Sequence, residues 1–322
     1  MSALNKIWKI TALAALLFTS LLWAADSAPV LLASGRIDDA IAALRGEIST
    51  SPDGAAYNLL CRAYYSLGEW DRGVSACEKA VSLDPNNSAY HLWLGRVYGE
   101  KADASNFLSA AGLAKRVHNE FERAVQLNPN SAEARKDLAE FYLEAPGIVG
   151  GGQDKARAQA ATLAKLDPVK AHWVVGRIAE KKKDPTTAER EYRTAIDASN
   201  GNAEAWLGLS MFYRHVGRFN DMEDAIGHIA AARVHDPVVL MDAAQTLIGA
   251  ARNFPLAIQL LQQYLSLSAS AEEAPVFKAH YLLGTVLEKQ GNKQAAAQEY
   301  RACLSLAKGF SRAQQALNRV SR

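Results

Sequence analysis

Residues 57–85, YNLLCRAYYSLGEWDRGVSACEKAVSLDP, decide how the rest of the chain is interpreted. Large apolar side chains recur three and four positions apart on both sides of Gly68, a spacing that predicts two amphipathic helices. Gly68 is the turn residue between them, and Pro85 ends the second helix because proline cannot continue the helical hydrogen-bond pattern. Small side chains at Cys61 and Gly73 allow the two helices to approach closely. The segment is therefore predicted to be an antiparallel helix hairpin.

The same pattern recurs along the chain. In each unit a Leu or Val precedes a small residue, and larger side chains stand three positions to either side. Further units of this form begin at His91, Arg135, His172, Trp206 and His280. The pattern resembles the tetratricopeptide repeat, although Cys77 stands where that family usually has an aromatic residue. The resemblance implies an all-α fold, a right-handed α-solenoid of stacked antiparallel helix hairpins (the tetratricopeptide superhelix).

The resemblance covers nearly all of residues 29–322 and divides the chain into three parts. We expect a signal peptide or N-terminal anchor at residues 1–25. A solenoid of about seven units follows at residues 29–310, with a partial first unit, and a polar capping helix closes the chain at residues 311–322.

Two units depart from the regular length. The closing prolines Pro85 and Pro129 are 44 residues apart, whereas the family spacing is about 34 residues. The extra residues lie within 102–115 and keep helical spacing, so a lengthened second helix is predicted. The turn at residues 144–154 is also expanded, and it contains Pro146 and three successive glycines.

Residues 1–25 have the pattern of a secretory signal. Lys6 and Lys9 precede an apolar run at residues 10–23, and small residues follow it. Because the run is shorter than the ~20 residues that span a bilayer, cleavage is favoured over a retained anchor. We therefore expect a periplasmic or secreted protein. The alternative is an inner-membrane anchored protein with its solenoid outside the cytoplasm.

Charge and cysteine content restrict the partners and the covalent links. Without Lys6 and Lys9 the 36 basic side chains become 34, equal to the 34 acidic ones, so nucleic acid is not an expected partner. Cys61 and Cys77 fall on facing helices of one unit, where their side chains should be near neighbours. A disulfide and two small buried hydrophobic side chains both fit this spacing, and the second is favoured. Cys303 is expected in the core.

Little in the sequence points to catalysis. The turn between Gly147 and Gly152 is a candidate anion loop. It follows a helix, lacks the Gly-Lys-Ser/Thr ending of a P-loop, and has Asp154 at the expected helix N-cap, where a carboxylate repels anions. The histidines that begin three of the units are expected to pack, and no histidine pair has the spacing of a compact metal motif. We expect no enzyme activity, no cofactor and no metal.

The first helices of the units are expected to line a concave groove. Arginines on this face suit an extended peptide with acidic groups, because guanidinium binds carboxylate in a bidentate manner, and aromatic residues serve as anchors. An ordinary solvated helix face fits the pattern equally well. As surface residues, Arg62 and Arg96 are expected to contribute little to stability. The predicted groove residues are Asn58, Arg62, Tyr65, Arg96, Lys136, Glu140, Trp173, Arg177, Met211 and Arg214.

The predicted function is a non-catalytic scaffold or adaptor in the bacterial cell envelope. It would bind a protein or peptide partner in the concave groove, and a membrane only if the N-terminal segment is retained. Two alternatives remain. One is a membrane-anchored envelope assembly factor, and the other is a ligand-regulated module that uses the turn between Gly147 and Gly152.

Overall fold

The computed structural model describes residues 26–232, 234, 236–267 and 275–322, and all of its regular secondary structure is helical. The predicted signal segment at residues 1–25 lies outside the described residues. The helices are α1 Ala28–Ala33, α2 Ile37–Thr50, α3 Gly54–Leu67, α4 Trp70–Leu83, α5 Ser88–Asp103, α6 Phe107–Leu127, α7 Ala132–Glu144, α8 Gln153–Leu166, α9 Pro168–Lys181, α10 Pro185–Ala198, α11 Ala203–His215, α12 Phe219–Ala231, α13 Val238–Ala250, α14 Phe254–Ser266, α15 Val276–Lys289, α16 Lys293–Leu306 and α17 Ser311–Val320.

Consecutive helices pair into eight antiparallel hairpins within the described residues, and α17 packs on the last of them. The predicted all-α solenoid of stacked hairpins is confirmed. In the second hairpin, Asp53 caps α3 by accepting from the backbone N–H groups of Ala55 and Ala56. Gly68 ends the same helix in the left-handed conformation, at φ 74°, which glycine adopts without steric cost. No helix in the described ranges combines the length and the apolar content needed to cross a membrane.

The small residue of a unit lies against a large residue of its second helix. A Cβ built on Gly95 of α5 would lie 2.5 Å from the ring of Phe121 in α6. A Cβ on Gly284 of α15 would lie 2.6 Å from the ring of Tyr300 in α16. Glycine is therefore required at these two positions, because any side chain would push the two helices apart. This contact explains why a small residue follows Leu in the repeat pattern.

The second hairpin replaces this contact with a covalent bond. Cys61 and Cys77 form a disulfide with their Cα atoms 5.2 Å apart, and both residues are fully buried. The predicted proximity of the two side chains is confirmed. The favoured interpretation, two unbonded hydrophobic residues, is wrong, because the two sulfur atoms are bonded to each other. They occupy the space where other units place a glycine and an aromatic ring. Cys303 is free and buried, as expected for a core residue.

The lengthened second helix is confirmed, since α6 runs without a break for 21 residues. Its first residues protrude from the solenoid, and the side chains of Phe107 and Leu108 are 86 % and 85 % exposed. The expanded turn contains a short 3-10 helix at Gly147–Val149, followed by α8. The prediction that Asp154 is the N-cap is wrong. The N–H of Gly152 donates to the carbonyl of Tyr142 at 2.8 Å, which starts the helix earlier and leaves Asp154 in its first turn.

The two ends of the solenoid touch. The backbone N–H of Lys308 donates to the carboxylate of Asp38 at 2.9 Å. A Cβ built on Gly35 would lie 2.8 Å from the backbone nitrogen of Val276, so these two backbone segments are in close contact. One apolar cluster includes residues from both ends, among them Leu32, Ile37, Phe277 and Phe310. The concave surface therefore faces a space that the coil of helices encloses. We call this space the lumen and the line where the ends meet the seam.

Candidate functional site

Three predicted groove residues come together on α7 and α9. The ammonium of Lys136 lies 4.5 Å from the ring centroid of Trp173, and the guanidinium of Arg177 lies 5.9 Å from it. Trp173 is partly buried, and its ring also packs on α11, where a Cβ built on Gly208 would lie 3.2 Å from it. We call Lys136, Trp173 and Arg177 together the step. Glu140 lies beside it, with a carboxylate oxygen 3.9 Å from the Lys136 nitrogen. An aromatic surface between cations can bind a polar chain that passes over it.

The arginines of this wall already have carboxylate partners. Arg96 of α5 binds Glu133 at 2.5 Å and Asp137 at 2.7 Å, both on α7. Burial alone would lower the pKa of Arg96, but these two negative charges outweigh burial and raise it. The side chain is only 18 % exposed, so the expectation that Arg96 is a surface residue of little structural consequence is corrected. The cause is the next unit, whose first helix brings two carboxylates against it.

Arg177 is held in a similar way. Its guanidinium binds Glu144 at 2.6 Å and Glu180 at 3.4 Å. Glu180 also accepts from Nδ1 of His215, at 2.8 Å, in the following unit. Burial favours the neutral form of Glu180, yet the hydrogen bonds from His215 and Tyr192 and the charge of Arg177 hold its pKa below the usual value. The wall therefore alternates positive and negative groups and is not a basic strip.

The N-terminal part of the wall is built around Trp93. The guanidinium groups of Arg62 and Arg96 lie 4.6 Å and 4.8 Å from its ring centroid. The hydroxyl of Tyr65 donates to Glu100 of α5 at 3.3 Å. Asn58 was predicted to face the groove but is only 7 % exposed, because α3 packs against α5 along this side. It offers little surface to a partner.

The remaining two predicted groove residues lie on α11. Met211 is partly buried against the apolar core. Arg214 is exposed and reaches α13, where its guanidinium would lie 3.0 Å from a Cβ built on Gly249.

A pocket of about 250 Å³ opens at the seam. It was not predicted, because its walls come from both ends of the chain. We call it the seam pocket, and six of its lining residues are Tyr65, Trp70, Glu100, Lys278, Tyr281 and Arg312. The ammonium of Lys278 lies 5.9 Å from the ring centroid of Tyr65. Burial lowers the pKa of Lys278 to about 8, although the negative charges of Glu100 and Asp242 oppose that shift.

The histidines expected to pack also link the two helices of their units. Nδ1 of His91 lies 2.6 Å from Glu120, and the corresponding distance from His280 to Glu299 is 2.7 Å. His172 forms the same link to Glu191 at 2.9 Å. Among the residues that the structure describes, no three His, Cys, Asp or Glu side chains gather as they would around a metal ion.

The tetratricopeptide repeat model matches residues 26–88, 151–203 and 244–309. Because these segments make up more than half of the chain, the protein belongs to the tetratricopeptide repeat family. Repeats of this family generally mediate protein–protein interactions, which defines the class as a protein-binding scaffold. Scaffolds of this type are typically non-catalytic.

Individual similarities are more distant. The chain is 27 % identical to sperm-associated antigen 1 of Rattus norvegicus over 111 residues, which is 34 % of this chain and 11 % of that protein. A tetratricopeptide repeat protein of Parabacteroides merdae has a TM-score of 0.46 and 13 % identity, with 92 % of this chain and 96 % of that chain covered. A thermophilic member from Thermus thermophilus has a TM-score of 0.47 and 17 % identity, with 57 % and 94 % covered.

Proposed function

We propose that this protein is a non-catalytic scaffold of the bacterial cell envelope that binds an extended segment of a partner protein in its lumen. The observation that carries the proposal is the step formed by Lys136, Trp173 and Arg177. Partly exposed aromatic rings beside cations are frequent anchors in protein interfaces. The step lies on successive first helices, where a chain running along the wall crosses it.

The charges of the wall specify the partner further. An acidic segment alone would have to displace Glu133 and Asp137 from Arg96, and Glu144 from Arg177. A segment with both acidic and basic side chains can instead add to the existing ion pairs without leaving a buried charge unpaired. The proposed partner segment is therefore of mixed charge, and aromatic or aliphatic groups of that segment would cover Trp173.

Export is the second part of the proposal. The signal pattern of residues 1–25 supports it, and so does the disulfide between Cys61 and Cys77, since such bonds persist mainly in oxidising compartments. We place the solenoid in the periplasm or outside the cell. A retained N-terminal segment would anchor it to the inner membrane with the same orientation.

Site-specific photocrosslinking tests the lumen as the binding surface. Gly99 of α5 and Gly46 of α2 are matched positions, because a Cβ at either would meet no atom within 4 Å. Gly99 belongs to a first helix and Gly46 to the exposed side of a second helix. With p-benzoylphenylalanine at each position in turn, we expect protein adducts from Gly99 in cells and none from Gly46. Equal adducts from both, or adducts from Gly46 alone, would contradict binding in the lumen.

A further inference from the structure

Lys278 has no acidic partner at contact distance. Its ammonium forms no ion pair and no hydrogen bond with any described residue, and it lies 5.9 Å from the ring centroid of Tyr65. It is half-buried on α15. A cation in such a position has lost part of its hydration and has no counter-ion in contact with it. An anion that enters the pocket would therefore pair with a poorly hydrated charge, which favours binding.

The surroundings of Lys278 favour a single negative charge. Arg312 of α17 lines the same pocket and forms no ion pair within the described ranges. Glu100 also lines the pocket, but its carboxylate already accepts from the hydroxyl of Tyr65 at 3.3 Å. Asp242 also attracts Lys278 but does not line the pocket, so the lining itself carries two cations and one carboxylate, with one positive charge in excess. A doubly charged anion would be repelled by Glu100, whereas a monoanion balances the site.

Most of the other lining residues are apolar or aromatic, and Ser66 and Gln245 add uncharged polar groups. Trp70 and Tyr281 lie on opposite sides of the seam, and Met241 and Phe310, which are 5 % and 4 % exposed, form part of the wall. A volume of about 250 Å³ accommodates one ring or one branched side chain together with its charged group. Such pockets combine apolar walls with a few polar groups that fix the orientation of the ligand.

We propose that the seam pocket binds a carboxylate attached to a compact apolar or aromatic body, with Lys278 and Arg312 receiving the carboxylate. The carboxylate belongs either to a free small acid or to an acidic side chain of a bound segment. In the second case the site rests on the proposed function, and in the first it is independent of it. Because the walls come from both ends of the solenoid, the ligand bridges the seam and stabilises its closed form.

The test uses the full chain and the reactivity of the Lys278 amine. Acetylation of each lysine at a pH near 8 is followed by peptide mass spectrometry, with benzoate, benzamide or N-acetyl-glutamyl-phenylalaninamide present. We expect benzoate to slow acetylation of Lys278 at least about tenfold while Lys289, exposed at the end of the same helix, is unaffected. Protection by the glutamyl peptide and not by benzoate would assign the carboxylate to a bound segment and would also support the site.

Variants complete the test. Calorimetric titration with benzoate reads the variants, since Lys278→Met has no amine to protect. Lys278→Met should weaken benzoate binding at least about tenfold, or about 1.4 kcal/mol, and Arg312→Gln should weaken it severalfold, whereas Lys289→Met should not. Arg312 is exposed, so its variant remains informative if Lys278→Met fails to fold. The proposal is overturned if benzamide protects Lys278 as well as benzoate does, or if neither benzoate nor the glutamyl peptide protects it. Photocrosslinking from Gly99 is independent of these outcomes, so failure here leaves the lumen proposal standing.

Discussion

Replacing Cys61 and Cys77 together by alanine should destabilise the second hairpin by about 3 kcal/mol. The bond joins residues 16 positions apart, and a cross-link that closes a loop of this size restricts the unfolded chain by about 3 kcal/mol in the chain-entropy model. Both side chains are fully buried. Loss of the sulfur atoms therefore removes packing as well, which adds to the effect.

Amide hydrogen exchange read by mass spectrometry is the appropriate assay, because stacked repeats need not unfold in a single step. In the alanine variant we expect exchange in α3 and α4 to accelerate by about a hundredfold, the ratio that corresponds to about 3 kcal/mol. Exchange in α9 and α10 should change little, since each hairpin contacts mainly its neighbours.

A matched variant separates the cross-link from the packing. The pair Cys61→Gly and Cys77→Phe recreates the contact that Gly95 makes with Phe121 in the next hairpin, without a covalent bond. Its exchange in α3 and α4 should lie between the wild-type and alanine values. If the alanine variant exchanges at the wild-type rate in α3 and α4, the disulfide does not hold the hairpin together and the reasoning is refuted.

Three other predictions concern charge and processing. Both ring nitrogens of His91 face acceptors, the carboxylate of Glu120 at 2.6 Å and the carbonyl of Pro85 at 3.0 Å. Burial alone would lower the pKa of His91, but these two hydrogen bonds outweigh burial and raise it. Protonated His91 therefore stabilises the folded protein fully below about pH 6.5, and this contribution is lost as the pH rises through the higher pKa of the folded state. His91→Gln should lower the urea midpoint more near pH 6 than near pH 8.5. Equal losses at the two pH values would contradict this. Arg96→Ala leaves the carboxylates of Glu133 and Asp137 without their cation and should lower the free energy of unfolding by about 2 kcal/mol, measured in urea. Arg36→Ala removes only exposed ion pairs and should lower it by under about 1 kcal/mol. Similar losses for the two variants would count against the role assigned to Arg96. Intact-mass measurement of protein from an exporting host should show cleavage between residues 22 and 28, and a species that keeps residues 1–23 would favour the anchor.

Contacts within one hairpin were predictable from the sequence, because they join residues close along the chain. The pattern predicted that small side chains at Cys61 and Gly73 let the two helices approach closely, and a Cβ built on Gly73 would lie 3.8 Å from the carbonyl oxygen of Cys61. The same spacing predicted that Cys61 and Cys77 are neighbours. It did not decide whether they are bonded, since a disulfide and two buried thiols occupy nearly the same volume.

Contacts between units were predicted less well. Arg96 was correctly assigned to a first helix, but its partners Glu133 and Asp137 belong to the next unit. Which charged groups meet there depends on the rotation between successive hairpins, which the repeat pattern does not specify. The seam depends on the sum of all these rotations, and the hydrogen bond from Lys308 to Asp38 spans 270 positions of sequence. The seam pocket therefore has no local signal in the sequence.

The width of the lumen limits what it can receive. Asp242 lies on α13, where loss of hydration raises its pKa to about 6, with a further increase from the charge of Asp236. Lys136 and Lys278 act in the opposite direction, although one lies on α7 and the other on α15. The ammonium of Lys278 on α15 lies 5.9 Å from the ring centroid of Tyr65 on α3, so helices from the two ends of the chain face each other across a narrow space. A single extended segment fits such a space, whereas a folded domain would have to break the contacts of Gly35 and Asp38 at the seam before it could enter.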